Sequence, residues 1–180
     1  MVTLLISWPL AEARPTLLDA WNAYWKLPIL ADFSDKLEMR RFHTRETELD
    51  RLPAKKNSKA YARITFRPSN YDYPTFEFTP PMNDWRGYEH LVFDLTVVGE
   101  PLDVTITVFD WLRKKNGYEE RFEQTWHLPS GRQLWKLDLA TMVKGPKTMP
   151  LDLSQIRWVQ LYMTKPAMPR TILIHRIYLQ

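Results

Sequence analysis

The sequence contains no cysteine. Disulfides, thiolate nucleophiles, iron–sulfur clusters and cysteine-type zinc sites are therefore excluded together, while the compartment stays open, because a chain without thiols is stable under any redox condition. Glycine is scarce: five in 180 residues, at positions 87, 99, 117, 131 and 145. They are too far apart to write GxGxxG, GxxxxGK(S/T) or GxSxG, so the phosphate-cradling loops of nucleotide enzymes and the nucleophile elbow are missing. The histidines His43, His90, His127 and His175 form no HxH or HExxH pair, which argues against a histidine metal centre. Charge of one sign is lacking too. With 25 Lys+Arg against 21 Asp+Glu the net charge is +4, too mild and too dispersed to indicate a nucleic-acid protein.

What the chain does have is eight Trp, eight Tyr, eight Phe and 14 Pro, within an ordinary globular balance of 44% apolar and 26% charged residues. Its length predicts one domain with one sizeable core. Residues Met1 to Pro9 (MVTLLISWP) form an apolar run far too short to span a bilayer as a helix. Ala11-Glu12-Ala13 has the form of a signal-peptidase site, but no basic residue precedes the run, and Trp8 and Pro9 interrupt it. A secretion signal, a packed N-terminal strand and the remnant of a longer chain all stay open. From Pro15, Leu17, Leu18, Trp21, Tyr24 and Trp25 recur at helical offsets and predict a short helix whose apolar face packs on the domain. The alternative, an aromatic helix at a membrane interface, is set against a polar face short of basic residues. Residues 1–28 are read as an N-terminal apolar and helical segment, and 29–180 as the domain.

After Pro28 the period changes to two. Ala60–Phe66, Leu91–Val98, Leu102–Phe109, Arg121–Leu128, Gln133–Leu139, Arg157–Met163 and Thr171–Leu179 read as strands, with shorter candidates at Leu37–Phe42 and Thr75–Phe78. Turn signals separate them: Pro80-Pro81, Asn83-Asp84, Gly99-Glu100-Pro101, Asn116-Gly117, Pro129-Ser130-Gly131 and Lys165 to Pro169. With no helix long enough for a crossover, this predicts an all-β fold: an antiparallel two-sheet β-sandwich, in the form of a jelly roll. Alternation puts Leu91, Phe93, Leu95 and Val97 on the core side, and likewise Leu102, Val104, Ile106 and Val108. It turns Phe109, Trp158, Gln160 and Tyr162 outward, near Trp111. Exposed rings of this size call for a covering layer or a ligand.

The segment Asp110 to Phe122 combines aromatic surface, guanidinium and carboxylate in one hairpin. Flat rings stack on the CH-rich faces of sugars, while Asp, Asn and Arg bond pairs of hydroxyls. Asp110, Trp111, Asn116, Tyr118 and Arg121 are the candidate ligand contacts, with Trp158, Gln160 and Tyr162 as additions. Against this stands packing at the end of the sandwich, with Arg121 an ordinary cross-strand partner of a carboxylate. A catalytic carboxylate pair is also conceivable among Asp110, Glu119, Glu120 and Glu123. Single-stranded nucleic acid is disfavoured by acidic residues interleaved with the basic ones.

From about Ile29 onward the chain resembles the galactose-binding-like jelly rolls, which include many carbohydrate-binding modules and the CIA30-type domains. The resemblance rests on Ala31-Asp32-Phe33, on Asp84-Trp85-Arg86-Gly87-Tyr88-Glu89-His90 leading into Leu91 to Leu95, on Leu151 to Ile156 before Trp158, and on Thr171 to Leu179. More narrowly, Asp110, Asn116, Tyr118, Arg121 and Phe122 are similar to a pattern of uncharacterised bacterial domains attached to VanZ-like membrane proteins, with lysine at 114 or 115 where that pattern has histidine. The resemblance is specific for the fold rather than the ligand, because such domains bind sugars, proteins and lipids alike; joined to the hairpin's aromatic and polar residues it gives the expectation of a non-catalytic glycan-binding module of the cell envelope or extracellular space, and the VanZ connection adds a membrane protein as a further partner. The resemblance also implies that Ser34 and His175 stand where many members place acidic calcium ligands, so that neither calcium nor any cofactor is expected. The rival functions are a protein-interaction domain of a membrane-associated assembly, using the same aromatics to dock a partner or the N-terminal helix, and a glycan-active hydrolase or lyase.

Overall fold

A strand with apolar residues at every second position has one face to bury, and two sheets of such strands bury theirs against each other. The computed structural model of the chain describes residues 17–54, 59–112 and 119–180. Among them the strands are β1 (Ile29–Ala31), β2 (Phe42–Arg45), β3 (Thr47–Leu52), β4 (Tyr61–Phe66), β5 (Thr75–Phe78), β6 (His90–Val98), β7 (Leu102–Asp110), β8 (Phe122–Leu128), β9 (Gly131–Asp138), β10 (Ile156–Tyr162) and β11 (Arg170–Leu179). The first sheet runs β3-β4-β11-β6-β9, with β1 beside β11; the second runs β2-β5-β10-β7-β8. Every recorded pairing is antiparallel. β6 and β7, β8 and β9, and β10 and β11 are consecutive yet lie in different sheets, so the chain crosses the sandwich at each of these turns. At the β6–β7 crossing Gly99 has φ +82°, a conformation that side chains other than glycine resist.

The core lies between the sheets. Ile64, Phe66, Phe93, Leu95, Ile172 and Ile174 face Phe76, Phe78, Val104, Ile106, Val159 and Leu161, all of them buried. Each such side chain stabilises the fold by about 1.5–3 kcal/mol relative to exposure, so this layer dominates the driving force. The predicted jelly roll is the observed one.

Three local expectations needed correction. Leu37–Phe42 was expected to be extended, but Lys36–Arg41 is a 3-10 helix, because Asp35 caps it by accepting from Leu37 N at 2.9 Å, and only Phe42 begins a strand. β3 was not expected, since TELDRL has little apolar alternation; it is an edge strand whose outward positions carry charge. Leu139, expected to end β9, instead opens a short helix, α2 (Leu139–Lys144), capped by Asp138.

The largest correction concerns the N-terminal helix. It forms, over 17–26 and labelled α1, but faces the opposite way from the expected packing. Leu17, Leu18, Trp21, Tyr24 and Trp25 are exposed, and the helix is fastened through Asp19, Asn22, Ala23 and Lys26. Asp19 pairs with Arg41 at 3.1 Å, and Asn22 donates to Asp35 at 3.0 Å. The Lys26 ammonium donates to Asp32 Oδ1 (2.8 Å), Ser34 Oγ (2.7 Å) and Glu38 Oε1 (2.6 Å). Glu38 is only 2% exposed, and a carboxylate buried so deeply needs a compensating cation. Its other oxygen accepts from Phe33 N at 2.7 Å, which helps to hold Phe33 at φ 59°. Charge compensation thus decides the orientation of α1.

Candidate functional site

The outer face of the second sheet is ordered in rows by the strand register. His43, Glu77, Gln160, Thr107 and Glu123 stand side by side across its strands, and Arg45, Thr75, Tyr162, Thr105 and Thr125 form the next row. Although these side chains point away from the core, the middle of the face is recessed: Thr107 is 0% exposed and Thr105 6%. The first row is joined by hydrogen bonds. Gln160 Nε2 donates to Glu77 Oε2 at 2.6 Å, and Gln160 Oε1 accepts from Thr107 at 3.2 Å. In the second row the hydroxyls of Thr105 and Thr125 meet at 2.7 Å. Burial, together with the neighbouring Glu123, holds the Tyr162 phenol above its ordinary pKa, so it stays a neutral hydroxyl at physiological pH.

Aromatic clusters flank these rows. At one end Trp111 is 54% exposed, and the Arg157 guanidinium lies 4.5 Å from its ring centre and 3.7 Å from that of Trp158. The cation ties the two indoles together. Phe109 packs tilted against Trp158 at 5.2 Å, and Arg121, itself paired with Glu123, lies over Phe109 at 5.5 Å. Beyond the other row, Tyr73 meets Tyr162 edge-on at 5.6 Å and Tyr71 at 6.4 Å, and Arg45 lies 4.0 Å above the Tyr71 ring. A groove of about 490 Å³ continues from Thr105 and Thr125 to Asp103, Met163, Met168 and Arg170.

Of the residues expected from sequence, Trp111, Arg121, Trp158, Gln160 and Tyr162 come together on this face. Trp158 has one ring face covered by Arg157, so it shapes the wall more than it offers a platform. Asp110 departs from expectation. It is 0% exposed; its Oδ1 accepts from Leu112 N at 3.1 Å and its Oδ2 from Asp152 N at 2.8 Å. Its carboxylate fixes the stem of the β7–β8 hairpin from below, so it is not a surface contact. Asn116 and Tyr118 lie outside the described residues. The expected docking of the N-terminal helix on these aromatics does not occur, because the polar contacts of α1 go to residues 32–41.

Several residues here escaped the sequence reading. Thr105 and Thr107 were assigned outward by alternation but carried no chemical signal. Arg157 was missed because the register shifts between Ile156 and Trp158, which lets consecutive side chains meet. Glu77, Tyr71 and Tyr73 come from β5 and the segment before it, distant in sequence from the hairpin.

The outer face of the first sheet has a different character. Asp50 pairs with Arg63 at 2.7 Å, Glu48 with Arg67 at 2.8 Å, and Asp94 with Arg132 at 2.9 Å. Thr65 bonds Thr171 at 3.1 Å, and Thr96 bonds His175 Nε2 at 2.9 Å. Ser34 and His175, the positions compared with calcium ligands, are thus each engaged elsewhere and supply no anionic oxygen, a poor donor set for that ion. Among the described residues no three His, Asp or Glu side chains cluster as a metal site requires, and no helix is long and apolar enough to cross a membrane.

No protein-family model matches the chain, and no curated protein does. Solved structures match it in fold. A family 11 carbohydrate-binding module from Clostridium thermocellum, in complex with a beta-1,3-1,4-mixed-linked tetrasaccharide, superposes with a TM-score of 0.63 at 13% identity, over 84% of this chain and 93% of the module. A CBM28 module specific for non-crystalline cellulose gives 0.54 at 13% identity, over 86% and 93%. An exo-beta-agarase gives 0.66 at 16% identity over 84% of this chain, which spans only 25% of the agarase. At such identities the likeness is one of fold alone: the β-sandwich that these carbohydrate-binding modules also have.

Proposed function

We propose that the recessed outer face of the second sheet binds a saccharide without breaking a bond in it. The observation that carries this reading is the hydrogen-bonded row Glu77, Gln160 and Thr107, flanked by aromatic clusters in which Phe109 is buried but Trp111 and Tyr73 are exposed. Trp111 offers its exposed ring for stacking, held in place by Arg157. Gln160, Glu77, Glu123 and Arg121 provide donors and acceptors in fixed positions, and such preorganisation limits the entropy lost on binding. Asn116 and Tyr118 are added from the sequence, and Trp158 and Tyr162 as walls. In this reading the ligand is a cell-envelope or extracellular glycan, and the VanZ-like resemblance adds a membrane protein as neighbour. The fold shared with a module in complex with a tetrasaccharide supports the reading.

The test is a glycan array that includes β-1,3-1,4-linked glucans, run with the wild type and Trp111→Ala. Wild-type retention on at least one glycan is expected, falling about 10- to 100-fold in the variant at unchanged thermal stability, as for loss of a stacking ring. No retention on any glycan, or retention indifferent to Trp111, overturns the proposal and favours a protein partner for this face.

A further inference from the structure

We propose that the saccharide held by the second sheet carries oxyanion substituents, uronate carboxylates or sulfate esters, and that Arg157 and Arg45 select them. The inference rests on the saccharide reading and names the class of glycan. Arg157 lies over the indoles of Trp111 and Trp158, and Arg45 over the Tyr71 ring, so each aromatic cluster beside the row has its own guanidinium. Neither guanidinium has an ion pair or a hydrogen bond among the described residues. Arg45 is exposed, and Arg157, though half-buried, keeps its nitrogens open to solvent. Stacking occupies the flat faces of a guanidinium and leaves the N–H fork in its plane free. That fork matches two oxygens of one carboxylate or sulfate.

Elsewhere on the sheets the chain answers its arginines. On the first sheet Arg63, Arg67 and Arg132 pair with Asp50, Glu48 and Asp94, and Arg176 stands opposite the same Asp94 in the strand register. Within the row on the second sheet Arg121 pairs with Glu123, and Glu77 accepts from Gln160. The acids of the row are thus engaged by donors of the row itself, and the charge left over at both ends is positive. Trp158 and Tyr162, which mark the two clusters on β10, lie about 13 Å apart along the strand. A linear chain with a repeated anionic group can meet both guanidiniums. A nucleic acid would meet them too, but Glu77 and Glu123 stand between, and these accept from hydroxyls, which sugar rings supply and phosphodiesters do not.

Binding of the full chain to immobilised polymers, followed by biolayer interferometry, tests this with two matched pairs: a galacturonan and the same polymer with its carboxyl groups reduced to alcohols, and a sulfated galactan and its desulfated form. The acidic member of at least one pair is expected to bind about tenfold more tightly than its neutral counterpart at low salt, with the advantage shrinking at about 0.5 M salt. Which pair shows it tells carboxylate from sulfate. Arg157→Gln should bring that ratio within about threefold, and Arg157→Lys, which keeps the charge without the fork, should retain part of it. Arg45→Gln, at an exposed position, should lower the ratio with the thermal midpoint unchanged. An Arg157 that only props the indoles would weaken both members of a pair alike; an unchanged ratio in both glutamine variants overturns the proposal. Neutral polymers bound as tightly as acidic ones, or a glycan array positive on neutral sugars alone, overturn it and leave the saccharide reading standing. A blank array removes the reading on which it rests. An oligo(dT) strand bound as tightly as the acidic polymer overturns it in favour of nucleic acid.

Discussion

On the outer face of the first sheet charged side chains are answered across the strands, whereas on the second the polar groups form one bonded row between aromatic clusters. Both faces arise from the same alternation, yet Asp50–Arg63 and Glu48–Arg67 leave a surface finished with respect to water, while the row at Gln160 lies between aromatic clusters that leave Trp111 and Tyr73 exposed. Solvated ion pairs neutralise a surface for a small energetic return. A recessed row of fixed donors and acceptors beside exposed indole is instead suited to a ligand with hydroxyls and flat apolar faces. The pair teaches that outward orientation alone says little; what matters is whether the neighbouring strand completes the side chain.

The sharpest way to break the contrast is Asp110→Ala. It leaves the backbone N–H groups of Leu112 and Asp152 without their carboxylate, and should destabilise the fold by about 2–4 kcal/mol in urea unfolding while abolishing glycan retention. Stability that does not change would show that the hairpin stem is held by something else. Next in size, Gln160→Ala removes the hub of the row; affinity should fall about 5- to 30-fold by titration calorimetry, with about 1–2 kcal/mol lost in urea unfolding because the buried Thr107 hydroxyl loses its acceptor. The smallest effect lies on the first sheet. Burial pushes the Asp94 carboxyl up, but its bonds with Arg132 more than offset this and hold it below the usual range. A folded-state pKa below the unfolded one means that the pair stabilises above about pH 4 and that this contribution is lost as pH falls further. Asp94→Asn should flatten that part of the acid-stability curve by about 1 kcal/mol at most, given that Arg132 is largely exposed. Asp50→Ala should leave the urea midpoint unmoved.

Much of the fold was legible because alternation is a local signal. The strands at Thr75–Phe78 and Tyr61–Phe66 show it plainly, while the edge strand Thr47–Leu52 escaped because a strand facing water on one side and an edge on another needs few apolar residues. Half of the candidate site was legible in the same way: Trp158, Gln160 and Tyr162 by parity, and Trp111 by its place in the hairpin. Asp110 was misread because a carboxylate in a turn looks alike in sequence whether it faces a sugar or a backbone N–H. The orientation of α1 depended on three partners for Lys26 that lie 6 to 12 residues away in chain order and follow no period. Helical periodicity told which side is apolar, but not which side has the stronger claim on the domain.

The seat of Lys26 has a mechanical consequence. A helix joined only by its linking peptide would act as a leash, free to swivel against the sandwich. Fixed by an ammonium wedged among three oxygens near its trailing end, α1 is a bracket instead, and its exposed rings keep a constant bearing relative to the aromatic clusters of the second sheet.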